Sequence, residues 1–359
     1  MDDTYFMKIA LEEAKKGIGR TSPNPPVGAV IVKENKIISK GYHEKAGLPH
    51  AEVMALEKAG DDARGATIYV TLEPCSHWGK TPPCTSAIIN AGIERVVFAC
   101  SDPSPAAGGG AQVLEQNGIN VTSGVFETQV AEILKPFFSI VKLQRPYILL
   151  KMAMTLDGKI AVPGRKYLTS QETLNVVHNW RNEFDAIMVG GRTLIKDNPK
   201  LDTRYINNGR DPLKIIYDPH MRNLNPMMEI FKKGSILILT EEPNISNSKE
   251  KYGFVDAQVD FLSISDKSMH QIFREIGQLG ISSILLEGGQ FLASLVVESQ
   301  LVDKICFFYA PILSAGTETI SALCTKSSLH NGYSIKNTII QNIGSDFLIT
   351  GEMDYSGGF

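Results

Sequence analysis

The sequence predicts two layered α/β domains on one chain. Apolar strand patterns alternate with amphipathic helical ones from Val27 to Thr122, and a second alternating series begins at Tyr147. Between them, Leu143–Pro146 reads as a boundary. Such alternation is what a sheet covered by helices requires. The opening helix runs to about Lys16, with Phe6, Ile9, Ala10 and Ala14 at helical spacing. The three prolines of TSPNPPVGA then forbid helix and set a rigid loop. Strands are expected at Val27–Lys33 and Lys36–Lys40, joined by a turn at Glu34 and Asn35. His50 to Lys58 follows as a helix, Ala66–Thr71 as a strand, Thr85–Ala91 as a helix and Arg95–Ala99 as a strand. Ala111–Asn117 is helical, Ile119–Thr122 a strand, and a helix around Val130–Ile140 closes the series.

In the second series, strand candidates are Tyr147–Met152, Ala186–Val189, Leu213–Tyr217, Ile236–Leu239, Ile284–Leu286 and Lys304–Phe308. Helical patterns lie at Gln171–Asn182, Lys267–Leu279 and Phe291–Glu298, and the polar stretch Glu241–Tyr252 reads as a surface loop. A chain of 359 residues can bury a core in each half. The formal net charge of −3 argues against a partner held mainly through phosphate backbone, so no nucleic-acid partner is expected. No apolar run approaches the roughly 20 residues of a membrane span. The acidic, amphipathic start is unlike a secretory signal, and five cysteines are too few for a disulfide scaffold. A cytoplasmic protein without a membrane partner is the expectation.

Chemistry is most legible near the N-terminus. Pro49-His50-Ala51-Glu52 opens a helix, Glu73-Pro74-Cys75 follows a strand, and Pro82-Pro83-Cys84 precedes another helix. One imidazole and two thiolates leave the fourth position of a tetrahedral zinc open, the pattern of a catalytic site. A closed structural zinc is disfavoured because no fourth protein ligand is evident; His77, between the cysteines, is the one alternative. Both cysteines are expected near helix N-termini, which favour thiolate. Glu52, two residues after His50, can carry a proton from water to a departing amine without binding metal. His-x-Glu followed by Pro-Cys is the signature of zinc deaminases. Eight residues separate Cys75 from Cys84, among them Lys80 and Thr81. A Gly/Pro-fixed loop with a lysine can hold the phosphate or sugar of a small substrate, or can be a solvated surface loop.

TSPNPPVGAVIV, GYHEKAGLPHAE, TLEPCSHWGKTPPC and SDPSP together resemble the deaminase domain of the RibD family. That family fuses a diaminohydroxyphosphoribosylaminopyrimidine deaminase to a 5-amino-6-(5-phosphoribosylamino)uracil reductase in riboflavin biosynthesis. The resemblance implies a cytidine-deaminase-like three-layer α/β/α domain over residues 1–145, with one Zn2+ per chain. It also implies that Asn24 and His43 touch the pyrimidine, that Lys80 and Thr81 touch the ribose phosphate, and that Asp102 lies near the substrate. DPSP stands where the family usually has DPNP.

From residues alone, the second half yields an α/β domain with a nucleotide-like pocket. It has no G-x-G-x-x-G after a strand, but Gly190-Gly191 and Gly288-Gly289 each follow an apolar strand. Such pairs let backbone N–H groups approach a phosphate, or simply make tight turns. LLKMAMTLDGKIA, WRNEFDAIMVGGRTLIKDNPKLDTR and LLEGGQFLASLV resemble the family's reductase domain. That implies a dihydrofolate-reductase-like α/β domain over 146–359 that uses NADPH. Contacts to the dinucleotide are implied for Met154, Tyr167, Thr193, Asp197 and the run Gly289, Gln290, Phe291, Leu292, Ala293, Ser294 and Leu295. Arg181, Leu201, Arg204 and Glu287 are implied to contact the sugar-phosphate substrate, where a guanidinium fork suits a phosphate dianion. Asp197 and Glu287 are the acidic candidates for a proton donor. Here VPGRKYLTS replaces a longer family stretch, so Arg165 stands near a usual serine and Tyr167 replaces a tryptophan. Pro219 replaces a serine and offers no N–H. The partners expected are small phosphorylated pyrimidines and, from the family, further copies of the chain. A deaminase with a merely regulatory second domain, and an RNA-editing deaminase, are the competing readings.

Overall fold

The structure, a computed structural model, describes residues 2–78, 82–104, 108–241, 257–316, 319–324 and 332–356. It divides into two compact units, 1–144 and 145–359. In the first, helix α1 (Asp3–Lys15) starts where the Asp2 carboxylate accepts the Tyr5 N–H at 2.9 Å. A five-stranded sheet follows, built from β1 (Gly28–Lys33), β2 (Lys36–Tyr42), β3 (Thr67–Leu72), β4 (Arg95–Cys100) and β5 (Asn120–Thr122). Its order is β2-β1-β3-β4-β5, with β1 antiparallel to both neighbours and β3, β4 and β5 parallel. Glu34 and Asn35 both take positive φ, 50° and 59°, as a two-residue turn between twisted strands demands.

Both faces of this sheet are covered, so its strands are apolar on both sides. Ala29, Ile31, Ile68 and Val70 pack against α2 (Ala51–Ala59), α3 (Cys84–Asn90) and α4 (Gly110–Gln116). Val30, Val32, Tyr69 and Val97 pack against α1 and α5 (Glu127–Leu143). The result is the three-layer α/β/α sandwich expected. A side chain at Gly41 would meet the Ala51 carbonyl at 2.4 Å, so glycine lets α2 lie directly on β2. That close approach positions the helix carrying the first site residues.

The second unit is organised on a nine-stranded sheet of order β11-β10-β9-β8-β12-β6-β13-β16-β15. Its strands are β6 (Tyr147–Thr155), β8 (Ala186–Gly190), β9 (Leu213–Tyr217), β10 (Ser235–Thr240), β11 (Gln258–Ser263), β12 (Ser283–Leu286), β13 (Lys304–Ala310), β15 (Ser334–Ile343) and β16 (Asp346–Asp354). Pairings are parallel from β11 to β13, and β13–β16 and β16–β15 are antiparallel. Helix α6 (Gln171–Glu183) and the short α7 (Gly191–Asp197) supply Val177 and Leu194 to the core on one face. On the other face, α8 (Met269–Gln278) and α9 (Gln290–Glu298) supply Ile272, Phe273, Leu292 and Val296. A capping box starts α8: the Ser268 hydroxyl accepts from Gln271 N, and the Gln271 side chain accepts from Ser268 N. A small ribbon pairs β7 (Lys159–Ala161) with β14 (Ile320–Ser321).

The second series thus holds more strands than the sequence pattern predicts. β15 and β16 lack a clean apolar alternation because β15 is a sheet edge exposed along most of its length. Residues 242–252 of the predicted surface loop lie outside the described residues. Among the described residues, no helix is long and apolar enough to cross a membrane.

Candidate active sites

In the first unit, three polypeptide segments deliver ligand atoms to one point. His50 caps α2, Cys75 stands on the loop after β3, and Cys84 is the first residue of α3. One ligand atom from each lies within 4.8 Å of the others. His50 Nδ1 is 3.2 Å from Cys84 Sγ and 3.7 Å from Cys75 Sγ. Only Cys84 heads a helix, contrary to the expectation for both cysteines. Cys75 is nevertheless served by the same helix start, because its sulfur accepts the Cys84 N–H at 3.4 Å. An imidazole and two sulfurs so spaced fit a zinc ion at about 2.0–2.3 Å from each.

The charges around this point are mutually tuned. Cys75 is the thiol that ionises first: the Cys84 thiol hydrogen-bonded to it, and then the His50 imidazole, draw its pKa far down against the effect of burial. Cys84 is pushed up by its hydrogen bond with Cys75 and by burial. His50 is raised chiefly by its hydrogen bond with Cys75. Glu52 is 3% exposed, and burial followed by the Cys75 charge pushes its pKa up. Burial thus favours the protonated form of this carboxyl relative to a free one, as a group that takes up and hands on a proton needs.

Around these four residues the support is explicit. The Glu73 carboxylate accepts the Asp102 N–H at 3.2 Å and the Ala111 N–H at 2.9 Å, tying the cysteine loop to the exit of β4 and the start of α4. A side chain at Gly110 would meet the Pro74 carbonyl at 1.8 Å, so only glycine lets α4 approach the residue before Cys75. His43 Nδ1 faces the Pro49 carbonyl at 3.1 Å and must carry the ring proton; Nε2 then accepts from the Asn24 amide at 3.2 Å. Burial lowers the His43 pKa and keeps the ring neutral. Asn24 and His43 are thus joined, and the His43 and His50 rings meet edge-on with centroids 5.3 Å apart. Lys80 and Thr81 lie outside the described residues.

In the second unit, the centre of charge is Glu287, directly after β12. Arg181 of α6 grips it with two donors, Nε at 2.8 Å and Nη2 at 2.9 Å, and Lys151 Nζ lies at 3.4 Å. Burial would raise the Glu287 pKa, but the two cations outweigh it and hold the carboxylate at about 2. Arg181 also donates to the Asp202 carbonyl, and Arg204 donates to the Asp202 carboxylate at 2.6 Å. Leu201 is buried with φ +52°, a backbone state disfavoured for leucine, at the head of this loop. Arg181, Leu201, Arg204 and Glu287 therefore belong to one locality. Much of the Arg181 fork is already committed to Glu287, which leaves Arg204, on the more open loop, the freer cation.

The residues expected at the dinucleotide are placed more unevenly. Thr193 Oγ1 lies 3.3 Å from where a Gly289 side chain would begin, so the two glycine-led helix starts are adjacent. Phe291 is exposed, whereas Met154, Leu292, Ala293 and Ser294 are buried. Gln290 Nε2 donates to the Ser321 carbonyl. Leu295 packs partly buried against the core. Tyr167 is exposed under the Lys166 ammonium, and Asp197 ends α7. Cys100 and Cys306 are buried, with pKa values raised by burial to about 11 and about 12, as suits small core residues.

Comparison with known proteins agrees with this division. Residues 1–100 match the cytidine and deoxycytidylate deaminase zinc-binding region, and residues 146–349 match the RibD C-terminal domain. The riboflavin biosynthesis protein RibD of Aquifex aeolicus is 40% identical over 351 residues, 97% of each chain. The chain belongs to the RibD family. The Escherichia coli RibD is 34% identical, with 96% of this chain and 98% of that one covered. Acinetobacter baumannii RibD has a TM-score of 0.87 at 31% identity, covering 98% of this chain and 99% of that one. A Thermotoga maritima diaminohydroxyphosphoribosylaminopyrimidine deaminase/5-amino-6-(5-phosphoribosylamino)uracil reductase has a TM-score of 0.86 at 35% identity, with the same coverage. RibD is a bifunctional deaminase and reductase of riboflavin biosynthesis, and this chain has both its zinc-binding deaminase domain and its reductase domain. Lys151, beside Glu287, is a charged residue to which the sequence motifs assign no role. It is the only charged residue in the strand YILLKMAMT, and a lone cation in a covered strand is the signal that marks it.

Proposed function

We propose that the cluster His50, Glu52, Cys75 and Cys84 carries the deamination step in this chain, and that the locality of Lys151, Arg181, Arg204 and Glu287 carries the reduction step. The observation that supports this most is the meeting of three ligand atoms beside one buried carboxyl. His50, Cys75 and Cys84 would hold the zinc, which when bound makes a water available as hydroxide near neutral pH. Glu52 takes the proton of that water at a carboxyl oxygen and returns it to the leaving amine. The ring carbon gains a C–O bond, loses its C–N bond and releases ammonia. Asn24 and His43 orient the pyrimidine, His43 as a neutral ring held by Pro49. Asp102 borders the same pocket, and Lys80 with Thr81 takes the ribose phosphate. The substrate of this step is 2,5-diamino-6-(5-phosphoribosylamino)pyrimidin-4(3H)-one.

The second step reduces the opened ribosyl group of the deaminated product to ribityl. The glycine pairs, Thr193 and Asp197 would hold NADPH, which when bound would supply a hydride to C1′. Opening of the ribosyl ring leaves C1′ doubly bonded to the 6-amino nitrogen; hydride addition at C1′ makes this a single C–N bond, and the nitrogen needs a proton. Glu287 is unsuited to give it, because its two cations keep it ionised, so Lys151 Nζ is the donor of choice. Arg204, with the remaining donors of Arg181, takes the substrate phosphate. We place the enzyme in the cytoplasm, as a homo-oligomer acting on small phosphorylated pyrimidines rather than on nucleic acid. Replacing Glu52 with Gln tests the first half: ammonia release falls by about 10²–10⁴-fold while zinc stays bound. Loss of zinc from E52Q would show that Glu52 is a ligand instead.

A further inference from the structure

His178, on α6 one turn before Arg181, is 1% exposed, and neither the motifs nor the proposed chemistry uses it. Its Nε2 lies 3.5 Å from Arg181 Nη1. A guanidinium only donates, so Nε2 must present its lone pair, and the ring proton must sit on Nδ1. The ring is neutral: burial first, then Arg181 and Arg204, lower its pKa to about 4. Among the described residues, that Nδ1–H is buried without an acceptor. An orphaned buried donor costs about 1–3 kcal/mol, so a ligand that supplies an acceptor here gains correspondingly.

The nearby acceptors of the protein are already engaged. Both Glu287 oxygens serve Arg181, and Asp202 serves Arg181 through its carbonyl and Arg204 through its carboxylate. His178 thus lies beside two cations, Arg181 and Arg204, which donate to Glu287 and Asp202 and not to the imidazole Nδ1. The Tyr205 ring packs on the imidazole at 4.4 Å between centroids, and the Arg204 guanidinium lies 5.0 Å from the Tyr205 ring. A dianion drawn to Arg204 arrives on the same short loop that covers His178.

We infer that His178 is a further substrate-binding residue of the reductase site, donating its Nδ1–H to the phosphate of the phosphorylated pyrimidine. This rests on the reading of Arg204 as a phosphate contact. The test measures NADPH oxidation by the full chain with 5-amino-6-(5-phosphoribosylamino)uracil and with the same compound lacking its phosphate. H178F keeps the ring volume without the donor, H178Q moves the donor to the other ring-nitrogen position, and H178N keeps a donor near Nδ1. H178F and H178Q should raise KM for the phosphorylated compound about tenfold to a hundredfold. For the dephosphorylated compound the change should stay within about twofold. H178N should recover most of the loss, and H178Q carries the test if H178F folds poorly. No change, or an equal change with both compounds, overturns the inference and leaves a buried water as the acceptor. R204Q, run beside them, separates the two claims. If its effect depends on the phosphate while that of H178Q does not, only His178 is misassigned. If neither effect depends on the phosphate, the reading of Arg204 has failed as well.

Discussion

Substituting Glu287 with Gln keeps the shape but removes the charge that balances Arg181 and Lys151, and it turns one of the two acceptor oxygens into an NH2 facing those donors. All three side chains are largely buried, at 9%, 11% and 15% exposure. Lowering the carboxyl from its ordinary 4.5 to about 2 corresponds, at about 1.4 kcal/mol per tenfold, to about 3 kcal/mol of stabilisation at neutral pH. Removing one partner of a buried ion pair costs about 3–5 kcal/mol in general, in agreement. For a unit of this size, about 3 kcal/mol lowers the melting temperature by about 6–12 °C. Differential scanning calorimetry of wild type and E287Q at pH 7 reads that shift. Its pH dependence has a definite sign. A depressed acid contributes stability above its unfolded pKa and loses it as pH falls through its folded pKa. The gap between the proteins should therefore close between pH 4.5 and about 2. A melting shift under about 2 °C, or a gap undiminished at the acid end, would refute the view that the two cations hold Glu287 ionised.

Three further outcomes follow from the geometry. G110A pushes a methyl group against the Pro74 carbonyl, so it should lower zinc content and cost about 1–3 kcal/mol, read by metal analysis beside thermal unfolding. C84S should abolish zinc binding, while wild type carries one zinc per chain by elemental analysis; full occupancy in C84S would contradict the ligand set. Iodoacetamide at neutral pH should alkylate the exposed Cys324 in native protein and spare Cys100 and Cys306, whose thiols are buried and raised, and peptide mapping by mass spectrometry reads the pattern.

Legibility varied with the kind of pattern. The first unit was nearly complete in the sequence because each element has a covered apolar face and a marked end: Asp2 before α1, the Glu34–Asn35 turn, Pro83 before α3. The metal cluster was legible because ligand chemistry restricts residue type and order so tightly. The supports were not. Glu73 and Gly110 act by backbone contacts between segments far apart in the chain, which no local pattern records. The β15–β16 hairpin escaped because an exposed edge strand needs no apolar stripe. Lys151 and His178 escaped because their meaning lies in partners on other elements, Glu287 for one and Arg181 for the other. In the run Gly289–Leu295, motif and structure answer different questions: helix α9 must bury Leu292 and Ala293 to pack, whatever its first turn binds.

The central claim is that one chain performs both steps, and product identification tests it most directly. The purified protein is given the diaminopyrimidine ribotide with and without NADPH, and the products are separated and weighed by mass spectrometry. Without NADPH, ammonia and the deaminated ribosyl compound should accumulate. With NADPH, the ribityl compound should appear with one NADPH oxidised per molecule. Deamination without any NADPH oxidation would contradict the account and reduce the second domain to a binding module.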